Sequence, residues 1–337
     1  MSKIRKLYYF DKKKSLDMIS FLNNSANDNY INKVMFNPLI PLHHILPIRL
    51  KFLPESYILK DNHEIKGLIT VAPTKSRQKK MEIKKLFFEE NSYEVAAELV
   101  QYVVSKYKAM GSSSILVKVD DYLPELLTML ITKCGFSQLS YEKLWRITKF
   151  PVEEYNLKEF RNFRNTDAQA VTNIYNETLL PHLRTLLGKS SKEFEESIFK
   201  GLSYDSKFSY IIKDLKTKNI IGYISINTTD NENFVVDITK SSWVNFNINS
   251  LIKFAADKIS QRKKKFGFFV RTKRYTSFGE EFENHLLQNG YECVQNQLVL
   301  TNSSARILKA DKKSGKYTVI SDFCPSSAVQ TKNINSV

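Results

Sequence analysis

The chain has 337 residues, 42% of them hydrophobic and 26% charged, which is apolar material enough for the cores of about two ordinary domains. Lys and Arg exceed Asp and Glu by 51 − 35 = 16, an excess that draws anions such as phosphates toward the surface. Ten glycines and nine prolines exclude collagen-like and Pro/Gly-rich chains. No apolar run of about 18 residues predicts a membrane-spanning helix. The stretch Met1–Lys14 does not read as a secretion signal. Cys134, Cys293 and Cys324 are too few and too far apart for a disulfide framework or a zinc site. The expectation is a cytoplasmic protein without metal.

In chain order, Ser15–Asn23 reads as a helix, and residues 56–71 as two strands around a polar turn. Met81–Phe88 is a strand. Tyr93–Met110 is a helix, with Val95, Leu99 and Val103 on one face and Gly111 as its stop. Ser114–Val119 is a strand, Pro124–Lys133 a helix ending at Gly135, and a last strand follows. The order then starts again. Asp167–Leu180 reads as a helix, residues 209–226 as a hairpin, Phe234–Thr239 as a strand and Asn249–Lys265 as a helix. Phe268–Thr272, Glu280–Gln288 and a final strand complete the second pass. The cluster Arg262–Lys265 would form the last turn of its helix, where cations complement the helix dipole.

Two motifs repeat at one offset. Residues 56–71 match residues 209–226, and residues 134–145 match 289–300. Gly67 to Gly222 and Gly135 to Gly290 are both 155 residues. A common offset predicts one domain used twice: residues 1–152, residues 153–302, and a polar tail over 303–337 read as flexible.

The order of elements resembles the GNAT superfamily of acyl-CoA-dependent N-acyltransferases, in tandem, over about residues 1–302. Residues 163–176 resemble that family's opening strand and first helix, and Ile220–Ile226 its third strand. Residues 288–291 and 133–136 stand where it has a helix end followed by Gly-Phe. The resemblance implies an α/β fold of two GNAT-like domains, each a mixed, mostly antiparallel sheet flanked by helices. It also implies that acetyl-CoA or another acyl-CoA lies between the fourth and fifth strands and that an amine of unknown identity is the acceptor. The CoA pyrophosphate would rest on the start of the following helix, where N–H groups are free and the dipole is positive.

Both phosphate loops depart from the family pattern. Residues 89–96 carry carboxylates and no glycine, so the N-terminal copy reads as a scaffold. Residues 240–247 also lack glycine, but Lys240, Ser241, Ser242, Asn245 and Asn247 favour an anion, and Arg271 and Arg274 follow on the next strand. These seven are the candidate cofactor-binding residues. The family's acid, a tyrosine four residues before Gly-Phe, is replaced by Ile131 and Leu286. Tyr275 and His285 are candidate substitutes. Asp237, repeated as Glu82, is the candidate base, its pKa expected to rise in an apolar strand. His43 and His44, in a proline-punctuated apolar segment, and His182 fall on the expected acceptor side, and His63 in a turn. Two other readings stand beside the enzyme: a catalytically silent pair of GNAT-like domains that binds a partner, and a basic nucleic-acid-binding protein. No nucleic-acid-binding motif supports the latter.

Overall fold

The computed structural model describes residues 3–8, 11, 15, 54–62, 64–74, 80–89, 92–196, 206–228, 230–303, 306–307 and 319–320. The expected helix 15–23 beyond its first residue, His43, His44, His63 and nearly all of the tail lie outside the described residues.

Among the described residues twelve strands form one sheet. They are β1 (Lys3–Lys6), β2 (Glu55–Asp61), β3 (Glu64–Pro73), β4 (Lys80–Phe88), β5 (Ser114–Asp120) and β6 (Ser137–Arg146), followed by β7 (Phe160–Asn162), β8 (Ser206–Lys213), β9 (Ile220–Thr228), β10 (Asn233–Lys240), β11 (Gly267–Lys273) and β12 (Glu292–Ser303). Their spatial order is β1-β2-β3-β4-β5-β12-β6-β11-β10-β9-β8-β7. Two pairs are parallel, β4 with β5 and β10 with β11; the others are antiparallel. A two-stranded pair, Arg306–Ile307 with Val319–Ile320, lies apart from this sheet.

The 155-residue offset survives as register. Glu82 pairs with Leu116 across β4 and β5, and Asp237 with Arg271 across β10 and β11. Beyond these points each parallel pair comes apart. β4 is last paired to β5 at Ile83–Val117, after which β5 continues along β12 and β4 along β3. β10 leaves β11 after Asp237, and among the described residues Ile238–Lys240 pair with β9 alone. Each half therefore has a V-shaped gap in the middle of its sheet.

The final strands differ from expectation. A strand closing each unit would set β6 beside β5 and β12 beside β11. Instead β12 lies between β5 and β6, and β6 lies between β12 and β11. The two closing strands are exchanged, so each half's sheet is completed by the other half.

The described α-helices are α1 (Tyr93–Ala109), α2 (Pro124–Thr132), α3 (Ala168–Thr178), the single turns α4 (Arg184–Leu187) and α5 (Ser191–Phe194), α6 (Ile248–Ser260) and α7 (Gly279–Gln288). Helices α1 and α2 cover one face of the N-terminal strands with Leu99, Val103, Met129 and Leu130 on Ile83, Ile115 and Val117. On the same face, α6 and α7 pack Leu251, Ile252, Ala255, Phe282 and Leu286 on Phe234, Val236, Val270 and Trp145. Gly67 permits the approach of α1, since a Cβ there would meet Val95 and Leu99 at 2.7 and 2.8 Å. The opposite face of the C-terminal strands carries α3–α5, with Val171, Tyr175, Leu179, Leu183 and Phe194 on Ile211, Tyr223, Tyr275 and Val299.

Helices α2 and α7 end alike. Gly135 and Gly290, the two glycines of the repeat, have φ of 67° and 72°. Phe136 N–H donates to Leu130 O, and Tyr291 N–H to Leu286 O, which closes the last turn of each helix. Helix α6 stops at Ser260, five residues before the expected end. Arg262–Lys265 therefore follow the helix and do not form its last turn; Arg262 lies over the Phe208 ring, 4.1 Å from its centre.

Candidate functional site

Side chains alternate between the two faces of a strand. In β10, Phe234, Val236 and Ile238 face α6, so Asp237 faces the other way. In β11, Phe268 and Val270 face α6, so Arg271 and Lys273 join Asp237. In β6, Trp145 donates its indole N–H to Thr272 on the α6 face, so Glu142 lies on the Asp237 side. Exchange of the closing strands thus brings Glu142, a residue of the first repeat, into the face of the second.

The result is a charged cluster across the middle of the sheet. Lys273 Nζ is 2.7 Å from Asp237 Oδ1, and Arg271 Nη1 is 3.9 Å from Asp237 Oδ2. Arg271 Nε is 3.9 Å from Glu142 Oε2. Lys118 of β5 donates to both Glu142 oxygens at 2.9 and 2.8 Å. Tyr275 Oη donates to Glu142 Oε1 at 2.5 Å. Glu82 pairs with Lys84 at 2.5 Å. The cluster lies beside the point where β10 and β11 part.

Electrostatics correct the expectation for Asp237 and Glu82. Burial by itself raises a carboxyl pKa, as expected from the apolar strand. Around Asp237 that effect is outweighed by Lys273, Arg271 and Lys189, which hold its carboxyl far below the usual range. Around Glu82 burial is outweighed by Lys84 and Lys118. Glu142 behaves alike: burial is overcome by Lys118, Arg271 and Lys273, and the pKa falls to about 2. All three are fixed anions rather than bases tuned to neutrality. Tyr275 is the reverse case: burial and the Glu142 charge hold its proton in place, well above the ordinary phenol range.

The remaining predicted residues separate into groups. Arg271 is turned into this cluster and does not sit at a phosphate end. His285 is on α7, on the opposite face from Asp237; its Nε2 lies 2.7 Å from Asn249 Oδ1 in the first turn of α6. Burial lowers its pKa, against Glu153 and Glu281. Lys240 is folded inward, its side chain 6% exposed, with Nζ 3.4 Å from Val244 O and 3.5 Å from Glu281 Oε2. Ser241 is buried, and its N–H donates to Ile221 O. Ser242 Oγ donates to Glu177 Oε1 at 3.3 Å, and Asn245 is exposed. Arg274 pairs with Glu280 at 2.8 Å. Asn247 is the N-cap of α6, its Oδ1 accepting from Asn249 N and Ser250 N. The anion-favouring residues do gather around the start of α6, but their polar groups largely satisfy one another. His182 is exposed in the turn Pro181–Leu183.

Residue-by-residue reading of the sequence missed Glu142, Lys118, Lys273, Tyr175 and Lys189. Lys118 interrupts the apolar run of residues 115–119, a signal visible in the sequence, whereas Glu142 stands on the polar phase of its strand and gives no such signal. Nothing in the sequence shows that the strands carrying them change partners.

Solved structures share this architecture. A tandem GNAT protein from the clavulanic acid biosynthesis pathway matches at a TM-score of 0.58 and 10% identity, over 90% of this chain and 98% of that one. A GCN5-related N-acetyltransferase from Sphaerobacter thermophilus matches at 0.60 and 9%, over 90% and 95%. A putative acetyltransferase from Pyrococcus horikoshii matches at 0.58 and 9%, over 90% and 89%. No family model matches the sequence, and no curated protein matches it. The fold is the two-domain GNAT fold, with a mixed sheet flanked by helices.

Proposed function

We propose that the chain is an acyl-CoA-dependent N-acyltransferase whose working cleft is the gap between β10 and β11. The observation that carries this reading is the parting of the two parallel strands after Asp237 and Arg271, with α6 starting just beyond the end of β10. Among the described residues, one backbone edge of Ile238–Lys240 has no strand partner, and an extended amide-bearing chain suits such an edge.

The fit to the carrier is good at the strands and partial at the phosphate end. Lys240, Ser241, Ser242, Asn245, Asn247 and Arg274 would surround the phosphates. Asn247 already takes two N–H groups of α6, so a pyrophosphate engages them by displacing that side chain. The bound carrier supplies an activated acyl thioester. On the opposite face of the sheet from α6, the acceptor side of the gap is lined by Asp237 with its partners Lys273 and Arg271. Tyr275, oriented by Glu142, holds a proton beside it. His285 belongs to the α6 end and is left out of the acceptor side.

The test is thermal unfolding with acetyl-CoA, paired with an assay for free thiol release in the presence of amines. Ligand at a hundredfold excess over Kd stabilises the native state by about 2.7 kcal/mol. Asn247→Gly frees the helix donors at a cost of a few tenths of a kcal/mol, so this variant is expected to gain affinity. Lys240→Ala is expected to lose it. Absence of a shift in both wild type and Asn247→Gly contradicts the reading.

A further inference from the structure

One half-buried cation, Lys189, has no carboxylate partner among the described residues. Lys189 lies between α4 and α5. Its main chain is clamped by Asn176, whose Nδ2 donates to Lys189 O at 2.9 Å and whose Oδ1 accepts from Lys189 N at 2.9 Å. The preceding carbonyl, Gly188 O, accepts from Lys80 Nζ at 3.0 Å. The ammonium rests on two rings, 4.6 Å from the centre of Tyr175 and 5.4 Å from that of Phe194. Among the described residues no carboxylate lies within ion-pair distance of it.

Its neighbours do not neutralise it. Lys84, Lys118, Arg271 and Lys273 each have a carboxylate of Glu82, Glu142 or Asp237 within 4 Å. That is four cations to three carboxylates before Lys189 is counted. Glu193 is the next carboxylate, but its Oε1 accepts from Ser190 N at 3.1 Å. With both included, these described residues number five cations to four carboxylates. A charge partly withdrawn from water and without a counter-charge favours an anion delivered to it.

We propose that Lys189 marks a subsite for an anionic group, a carboxylate or a phosphate, borne by the acceptor, so that the acceptor is an amine that also carries such a group. The proposal rests on reading this face as the acceptor side of the cleft. The ring platform and the clamped backbone hold the ammonium in place. The groups that face Lys189 are Lys273, Asp237, Glu193 and Lys118, together with the Tyr175 phenol. Burial, with Lys273 and Lys118, pushes its pKa down to about 8, against Asp237 and Glu193. The cationic form, and with it anion binding, therefore strengthens as the pH falls from about 9 to about 7.

The experiment uses the full chain, at constant ionic strength, as wild type, Lys189→Met and Lys189→Arg. Thermal unfolding is followed against glycine and 2-aminoethyl phosphate, with glycinamide and ethylamine as partners lacking the anion. The expected result is a saturable rise with at least one of the first two and affinity lower by about tenfold or more for its partner lacking the anion, equivalent to about 1.4 kcal/mol. The effect is lost in Lys189→Met, kept in Lys189→Arg, and stronger at about pH 7 than at about pH 9 in wild type. Equal response to glycinamide, unchanged binding by Lys189→Met, or no saturable response to either anion overturns the proposal. Succinyl-CoA against acetyl-CoA separates the source of the charge. A Lys189-dependent preference for succinyl-CoA, with none for glycine or 2-aminoethyl phosphate, places the anion on the acyl chain and overturns the assignment to the acceptor. Lys189-dependent binding of glycine or 2-aminoethyl phosphate, without any response to acetyl-CoA, leaves the subsite standing and removes the acyltransferase.

Discussion

Glu142 occupies a position that few carboxylates do: 2% exposed, held by Lys118 on one strand, near Arg271 on another, and receiving the Tyr275 hydroxyl. Its pKa is lowered to about 2 in the fold against an ordinary value of 4.5. A depressed carboxyl contributes stability that is complete above the unfolded pKa and is lost as the pH falls toward the folded one. Glu142, with Asp237 acting in the same direction, is therefore expected to make the chain lose stability between about pH 4.5 and about pH 2. Glu142→Gln leaves Lys118 and Arg271 undercompensated and is expected to cost on the order of 3 kcal/mol at neutral pH. Urea midpoints measured across that range check both points, since the variant should also show a flatter acid limb. The charges themselves were legible in the sequence. Their ionisation was not: an apolar strand argues for a raised pKa, and only the cations brought in from neighbouring strands reverse the sign.

Among the described elements, hydrophobic spacing and glycine stops located most of the helices and strands to within a residue or two, because each is decided by local pattern. The short β1, α4 and α5 were not anticipated, and helix α6 ends early. Its charged end, Arg262–Lys265, satisfied a helix-dipole argument, yet the helix closes at Ser260, with Lys263 N–H reaching back to Ile259 O. The helix ends at Gly135 and Gly290 were legible because only glycine adopts φ of 67° and 72° without strain. A Cβ at Gly290 meets no atom within 4 Å, and at Gly135 only Asn302 Nδ2 at 3.4 Å. Alanine at either position is therefore expected to cost about 1–2 kcal/mol of backbone energy alone, with the contacts of α2 and α7 otherwise intact. Denaturation midpoints that fall by similar amounts for Gly135→Ala and Gly290→Ala bear this out; no loss at either contradicts the backbone account.

At the scale of the molecule, the repeat offset showed that the chain uses one plan twice but not that the two copies share strands. Pairing across a sheet leaves no periodic trace in the chain: β12 reads as the end of its own half, and it lies against β5. The exchange makes each half dependent on the other. Residues 153–302 made alone lack β6 and leave edges of β11 and β12 unpaired, a condition that favours aggregation. Separate expression of residues 1–152 and 153–302 is expected to give insoluble or self-associated products, and co-expression a soluble one-to-one complex. Two monomeric, folded fragments on size-exclusion chromatography contradict this. The central claim is narrower: the gap between β10 and β11 receives the acyl carrier. Hydrogen exchange of the full chain with and without acetyl-CoA tests it most directly. The account predicts new protection in residues 238–240 and at the start of α6, with residues 85–88 and 118–120 of the equivalent N-terminal gap unchanged. Protection confined to the N-terminal gap, or none in either, contradicts it.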